Sequence, residues 1–185
     1  MAWLSLALQE GPVVLVGHSY AGAVISVAGN DDKVAGLVFV AAFAPDEGES
    51  VFGISKPYPP APIGTELRPD PQGFLSVTPK GIMEDFAQDF SEPEEKLLVA
   101  TQGPTNVSCF SMNLPVAAAW KTKPDWFVVA ADDRVIPPDL EQAEAAAMNA
   151  TTITLDSSHV AMLSHPKEVS NKPLERNLRS DTAEW

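Results

Sequence analysis

Near the front of this chain the run Gly17-His18-Ser19-Tyr20-Ala21-Gly22 sets a serine among small neighbours, where an apolar strand pattern gives way to a helical one. A sharp turn at that junction lifts the Ser19 hydroxyl above the sheet edge as a nucleophile, and small residues let the strand and helix backbones approach closely. The N–H of Tyr20, directly after the serine, is the oxyanion donor such a turn supplies. Ala21 occupies the place of the pattern's second glycine and adds only a methyl. A nucleophilic serine needs a base and an acid. His159, in Asp156-Ser157-Ser158-His159-Val160-Ala161-Met162, follows the last predicted strand, whereas His18 lies inside the turn and His165 precedes a proline on a helix. An imidazole titrating near neutrality can take the Ser19 proton and pass it to a leaving alkoxide. For the acid, Asp133 is a candidate because Asp132-Asp133 ends a predicted strand, where a carboxylate would project from the rim that bears Ser19. Its neighbour Asp132 competes, as does Asp46 after another strand end. A helix cap beside Pro137 is the structural alternative for Asp133.

The elements that must position these groups alternate between strand and helix. Residues 12–16 (Pro-Val-Val-Leu-Val) read as a central parallel strand buried on both faces, followed by a helix from Tyr20 to Ala28 with a left-handed stop at Gly29-Asn30. Val34 to Ala42 repeats the strand pattern until Pro45-Asp46-Glu47-Gly48, making a βαβ unit. The pattern returns at Trp126 to Ala131, continues through a helix begun by Pro137-Pro138, and closes with a strand at Thr151 to Leu155 and another helical segment. Between them, residues 46–123 break into a Pro-rich stretch, Lys56 to Pro62, and short helices such as Ser91 to Thr101, opened by the capping pair Ser91 and Glu94. The predicted organisation is an α/β core over 1–45 and 124–170, a mostly helical cap inserted at 46–123, and a polar tail at 171–185.

Bulk properties narrow the function classes. With 45% hydrophobic and 20% charged residues among 185, one soluble domain is expected. A net charge of −13 argues against nucleic acid and anionic membranes as partners. The single cysteine, Cys109, forms no intramolecular disulfide, lacks metal-ligand spacing, and reads as a small buried hydrophobe. The apolar start lacks a signal peptide's basic flank and is too short for a membrane span, so a cytoplasmic location is expected and the sequons at Asn106 and Asn149 read as chance matches.

Taken together, Gly-His-Ser-Tyr-Ala-Gly, Val-Phe-Val-Ala-Ala-Phe-Ala-Pro-Asp, Asp-Asp-Arg-Val-Ile-Pro-Pro and Ser-His-Val-Ala-Met-Leu-Ser-His-Pro resemble the α/β-hydrolase superfamily over about residues 11–169, nearest its branch of small methyl esterases and hydroxynitrile lyases. The order serine, acid, histidine is that of these enzymes. The resemblance implies a partial α/β-hydrolase fold, a Ser19–His159–Asp133 triad beneath a cap, a small apolar ester as substrate, and no metal or organic cofactor. It places the acid at Asp133, before Arg-Val-Ile-Pro. The branch's lyases carry lysine after the histidine; Val160 stands there, which favours ester hydrolysis. Family members have three or four strands before the turn, one followed by a loop whose N–H completes the oxyanion hole. Ser19 comes too early for those, so Tyr20 is the one donor the motif supplies. The alternative is therefore a truncated, weakly active or inactive domain that self-associates through an exposed sheet edge.

Overall fold

The computed structural model describes residues 8–171. Four parallel strands, β1 (Val13–Ser19), β2 (Val34–Ala42), β6 (Asp125–Ala130) and β7 (Thr151–Leu155), form a sheet in the order β1-β2-β6-β7. Helix α1 (Ala21–Ala28) carries the chain from β1 to β2, and α6 (Pro138–Met148) from β6 to β7. Strands β2 and β6 are central and almost wholly apolar because side chains on both faces must be covered. On one face Leu37, Phe39, Phe127 and Val129 pack with Ile25 of α1 and Ala145 and Met148 of α6. Phe39 and Phe127 sit opposite each other in register and stack with ring centroids 5.8 Å apart. On the other face Val38, Val40, Trp126 and Val128 are covered by Ala161 of α7 (Ala161–Ser164), with Val169 of α8 (Pro166–Asn171) packed alongside.

Between β2 and β6 the chain builds α2 (Val51–Ser55), β3 (Leu67–Pro69), β4 (Phe74–Val77), and α3 (Pro79–Gly81), which continues as a π-turn over Ile82–Phe86. It then forms α4 (Glu92–Thr101), β5 (Thr105–Asn106) and α5 (Ser108–Ser111). The capping box of α4 is present with both halves made by Ser91 and Glu94. The small antiparallel sheet β3-β4-β5 is an addition to the helical pieces the sequence suggests. Its strands are too short for an alternating pattern to register, but the turn joining β3 and β4 is chemically explicit. Asp70 Oδ1 accepts from Gln72 N and Phe74 N, and Gly73 adopts φ +84°.

Three local expectations are corrected. The strand read as central is an edge strand among the described residues, with Val14 and Val16 exposed by 37% and 62%. The end of α1 is not left-handed: Gly29 has φ −64°, and its missing side chain leaves room for Ala119 and Leu37. Cys109 is half-buried rather than buried, its Sγ 2.7 Å from Asn106 O. The left-handed stop occurs instead at Asn149, φ 56°, after α6. All but the first residue of the tail expected at 171–185, and the apolar residues 1–7, lie outside the described residues.

Packing of α1 against the end of β2 makes Gly22 a stringent position. A Cβ there would fall 2.1 Å from the carbonyl oxygen of Phe43, whereas one at Gly11 would meet nothing within 4 Å. Gly22→Ala should therefore cost about 1–3 kcal/mol or more in urea unfolding through overpacking, and Gly11→Ala should stay within about 0.5 kcal/mol of wild type.

Candidate active site

The turn after β1 is built by backbone contact. A Cβ on Gly17 would lie 2.7 Å from Ala21 O, so only glycine lets the strand pass the first turn of α1. Ser19 takes φ 56°, a left-handed conformation uncommon outside glycine, and its carbonyl accepts from Phe43 N at 3.2 Å. The neighbouring strand deforms to match: the β1–β2 register shifts between His18 and Ser19, and Ala41 takes φ 42° there. Strain at a serine whose hydroxyl must stand clear of the sheet is the form expected of a nucleophile turn.

His159 lies beyond β7 and is fully buried. Its Nδ1 is 2.6 Å from Asp133 Oδ2, while Nε2 is buried and has no hydrogen-bond partner. The carboxylate fixes the tautomer: Nδ1–H donates to it, leaving the lone pair on Nε2. Two further rings hold the imidazole. Phe86, from the π-turn, meets it edge-on at 5.1 Å, and His18 lies 4.6 Å away. His18 Nε2–H donates to the carbonyl of His159 at 2.8 Å. Burial, with His159 nearby, pushes the His18 pKa down to about 4, so this ring is a neutral strut.

Asp133 follows β6 and is buried. Its Oδ1 accepts from Val135 N at 2.6 Å and Ile136 N at 2.9 Å while Oδ2 takes His159. These N–H groups belong to the turn before α6, whose N-cap is Pro137 with no side-chain cap bond, so Asp133 orders that turn and holds the imidazole without capping the helix. Burial alone would raise its pKa, but the His159 ring and its hydrogen bond, with those from Ile136 N and Glu141, hold the carboxyl below the ordinary range. The competing acids lie elsewhere. Asp132 is exposed, and Asp46 pairs with Lys121 and accepts from Glu47 N at 2.7 Å. His165 sits at the end of α7, 2.9 Å from Ser164 Oγ.

Ser19, Tyr20, His18 and His159 all line one cavity of about 470 Å³. Its remaining wall is mainly apolar, with Phe52, Leu75, Phe86 and Phe110 from the segment between β2 and β6. Of the aromatic residues in that segment, Tyr58, Phe74, Phe90 and Trp120 do not line it. The same segment grips the loops that carry the histidine and the acid. Arg134 Nε pairs with Asp85 Oδ1 at 2.7 Å, Gln88 Nε2 donates to Asp132 O at 2.7 Å, and Ser158 N donates to Asp89 Oδ2 at 3.0 Å. The sequence assigns no role in the site to His18, Phe86 or these clamps; only His18, adjacent to the serine, carries a positional signal. Among the described residues no group of three or more His, Cys, Asp or Glu is placed to hold a metal ion, and no helix is long and apolar enough to cross a membrane.

Comparison with known proteins agrees with this architecture. The alpha/beta hydrolase nvfD of Aspergillus novofumigatus is 26% identical over 168 residues, covering 83% of this chain, which spans 65% of that protein's length. Polyneuridine aldehyde esterase superposes with a TM-score of 0.73 at 19% identity, over 90% of this chain and 73% of that one. A pyrethroid hydrolase from Sphingobium faniae JZ-2 gives 0.73 at 23% identity, over 90% and 71%. A methylesterase from Arabidopsis gives 0.69 at 19%, over 90% and 70%. At these identities the solved structures share the fold. The model of the alpha/beta hydrolase family matches residues 2–172, which takes in the strained serine turn, the buried acid and the histidine alike, and the chain belongs to that family.

Proposed function

We propose that this chain carries out carboxylic ester hydrolysis through Ser19, His159 and Asp133 on small apolar esters. The observation that carries the reading is the state of His159: Nδ1 is bonded to a buried carboxylate, and Nε2 is unpartnered beside the cavity that Ser19 also lines. In this reading Nε2 takes the proton as Ser19 Oγ attacks the ester carbonyl, and Asp133 stabilises the imidazolium. Tyr20 N–H, at the start of α1, donates to the oxyanion, aided by the positive end of the helix dipole. The imidazolium returns the proton to the alkoxide, which leaves an acyl group on Ser19. Water activated by His159 then releases the acid. No metal or organic cofactor enters these steps.

Support for the ester comes from the apolar cavity wall and from the esterase, methylesterase and pyrethroid hydrolase among the similar structures. Residues 46–123 act as the cap in this scheme, and the location is cytoplasmic. Val160, buried after His159, offers no cation for cyanide, which disfavours the lyase reading. A second reading, self-association of a weakly active chain, is favoured by the position of β1 at the sheet edge among the described residues.

A fluorophosphonate probe should label the peptide containing Ser19 and lose that label in Ser19→Ala; undiminished labelling of the variant removes Ser19 as nucleophile. On p-nitrophenyl butyrate, His159→Ala should abolish turnover and His165→Ala should spare it. Asp133→Asn should cost up to about 10⁴-fold in kcat, against little change for Asp132→Asn; equal losses would leave the acid unassigned. Light scattering decides the second reading: a size that grows with concentration is expected if the β1 edge pairs, and a monodisperse monomer rules that pairing out.

A further inference from the structure

Beside Asp133, α6 contributes a carboxyl to the interior. Glu141 is fully buried, and its Oε2 accepts from Ala130 N, the last residue of β6, at 3.0 Å. Its other oxygen, Oε1, is also buried and has no donor to accept from. The side chain of Asp133 is its hydrogen-bonding neighbour. Two carboxylates in contact away from water cannot both be ionised, so one proton must sit between them. The surroundings decide which group holds it. Asp133 receives His159 Nδ1–H and the N–H groups of Val135 and Ile136, which stabilise a negative charge; Glu141 receives Ala130 N alone.

We propose that Glu141 is a positioning residue of the active site, a buried carboxylic acid whose O–H donates to the Asp133 carboxylate and aims it at His159. This inference rests on the triad reading above. Burial, then the charge of Asp133 and their shared hydrogen bond, push the Glu141 pKa up to about 10, whereas Asp133 is held low. The other charged group facing Glu141 is Glu144, one turn along α6. It accepts from Ala44 N at 2.9 Å, and its pKa is pushed up to about 8, first by burial and also by Glu49. Any ionisation of Glu144 adds to the pressure keeping Glu141 protonated. Glu141 therefore gives Asp133 a further donor without adding charge. It leaves Asp133 less basic, so the carboxylate orients the imidazole and does not take its proton.

Two variants separate this role from packing. Glu141→Gln offers Oε1 to Ala130 N and an N–H to Asp133, so it should keep the wild-type kcat and pH profile. Glu141→Met fills the space without the donor. It should lower kcat by about 10- to 100-fold with little change in KM, the loss of one hydrogen bond to a charged group. It should also move the acid limb of the kcat/KM profile to higher pH, because a less solvated Asp133 carboxylate stabilises protonated His159 more strongly. An unchanged kcat and acid limb in Glu141→Met, with Ser19→Ala inactive, overturns the proposal.

The second readout needs no activity. A carboxyl with a normal pKa in the unfolded chain and one near 10 in the fold contributes stability that is full below the unfolded pKa and declines as pH rises between the two values. Glutamine has no such decline. The Tm of Glu141→Gln minus that of wild type should widen by several degrees, about 4 °C or more, from pH 5 to pH 9. A gap that stays flat places the proton elsewhere and overturns the proposal. Should the chain hydrolyse no ester, the triad reading falls, and the Tm comparison still decides whether Glu141 holds the proton.

Discussion

The arrangement depends on keeping one anion, the Asp133 carboxylate, charged inside the protein. Moving a carboxylate out of water is costly unless donors surround it. The donors come from two parts of the fold: Val135 and Ile136 N–H from the turn that leads into α6, and the imidazole from the loop after β7. The sheet order makes this possible. β6 and β7 are parallel neighbours, so the acid and the histidine leave the same rim side by side, and β1 delivers Ser19 to that rim across β2. Parallel strands thus convert residues far apart in sequence into one row of loops.

The second constraint is steric. Ser19 at φ 56° and Ala41 at φ 42° are conformations an unrestrained chain would leave, and they persist because the surroundings over-determine them. Gly17 lets β1 touch the first turn of α1, Gly22 lets α1 touch the carbonyl of Phe43, and Phe43 N holds the carbonyl of Ser19. The apolar layers on both faces of β2 and β6 supply the stabilisation that offsets this local strain. Core and nucleophile turn are therefore a single problem in packing.

Much of this was legible in the sequence because period and punctuation are local. Val34 to Ala42 and Thr151 to Leu155 are strands with the bounds their residues suggest, and α4 begins at its capping box. Ser19 and His159 do line one cavity, and Asp133 rather than Asp132 meets the histidine. What escaped was long-range. Edge and central strands share the same β-branched composition, so the exposure of Val16 could not be read from Val-Val-Leu-Val. His18 looked like an incidental member of the turn until β7 brought the carbonyl of His159 to it. Glu141 and Glu144 stand in an Ala-rich helix whose composition gives no sign of a buried carboxyl, yet they share its buried face with Leu140, Ala145 and Met148. The only clue was their spacing of three, which puts both on that apolar stripe.

The segment between β2 and β6 couples substrate choice to catalysis in the proposed scheme. Its side chains form most of the cavity wall, and its Asp85, Gln88 and Asp89 hold the backbone and Arg134 around the acid and histidine loops. Phe86 stands in both roles, lining the cavity and meeting the His159 ring edge-on. It does so from a π-turn, an irregularity that displaces side chains from the ordinary helical spacing and recurs at functional sites. Reshaping this wall for another ester would shift the supports of the histidine as well. A wall residue distant from these clamps, such as Leu75 on β4, is freer to vary than Phe86. Specificity in this fold is then expected to evolve first on the small antiparallel sheet, and last on the π-turn that touches the base.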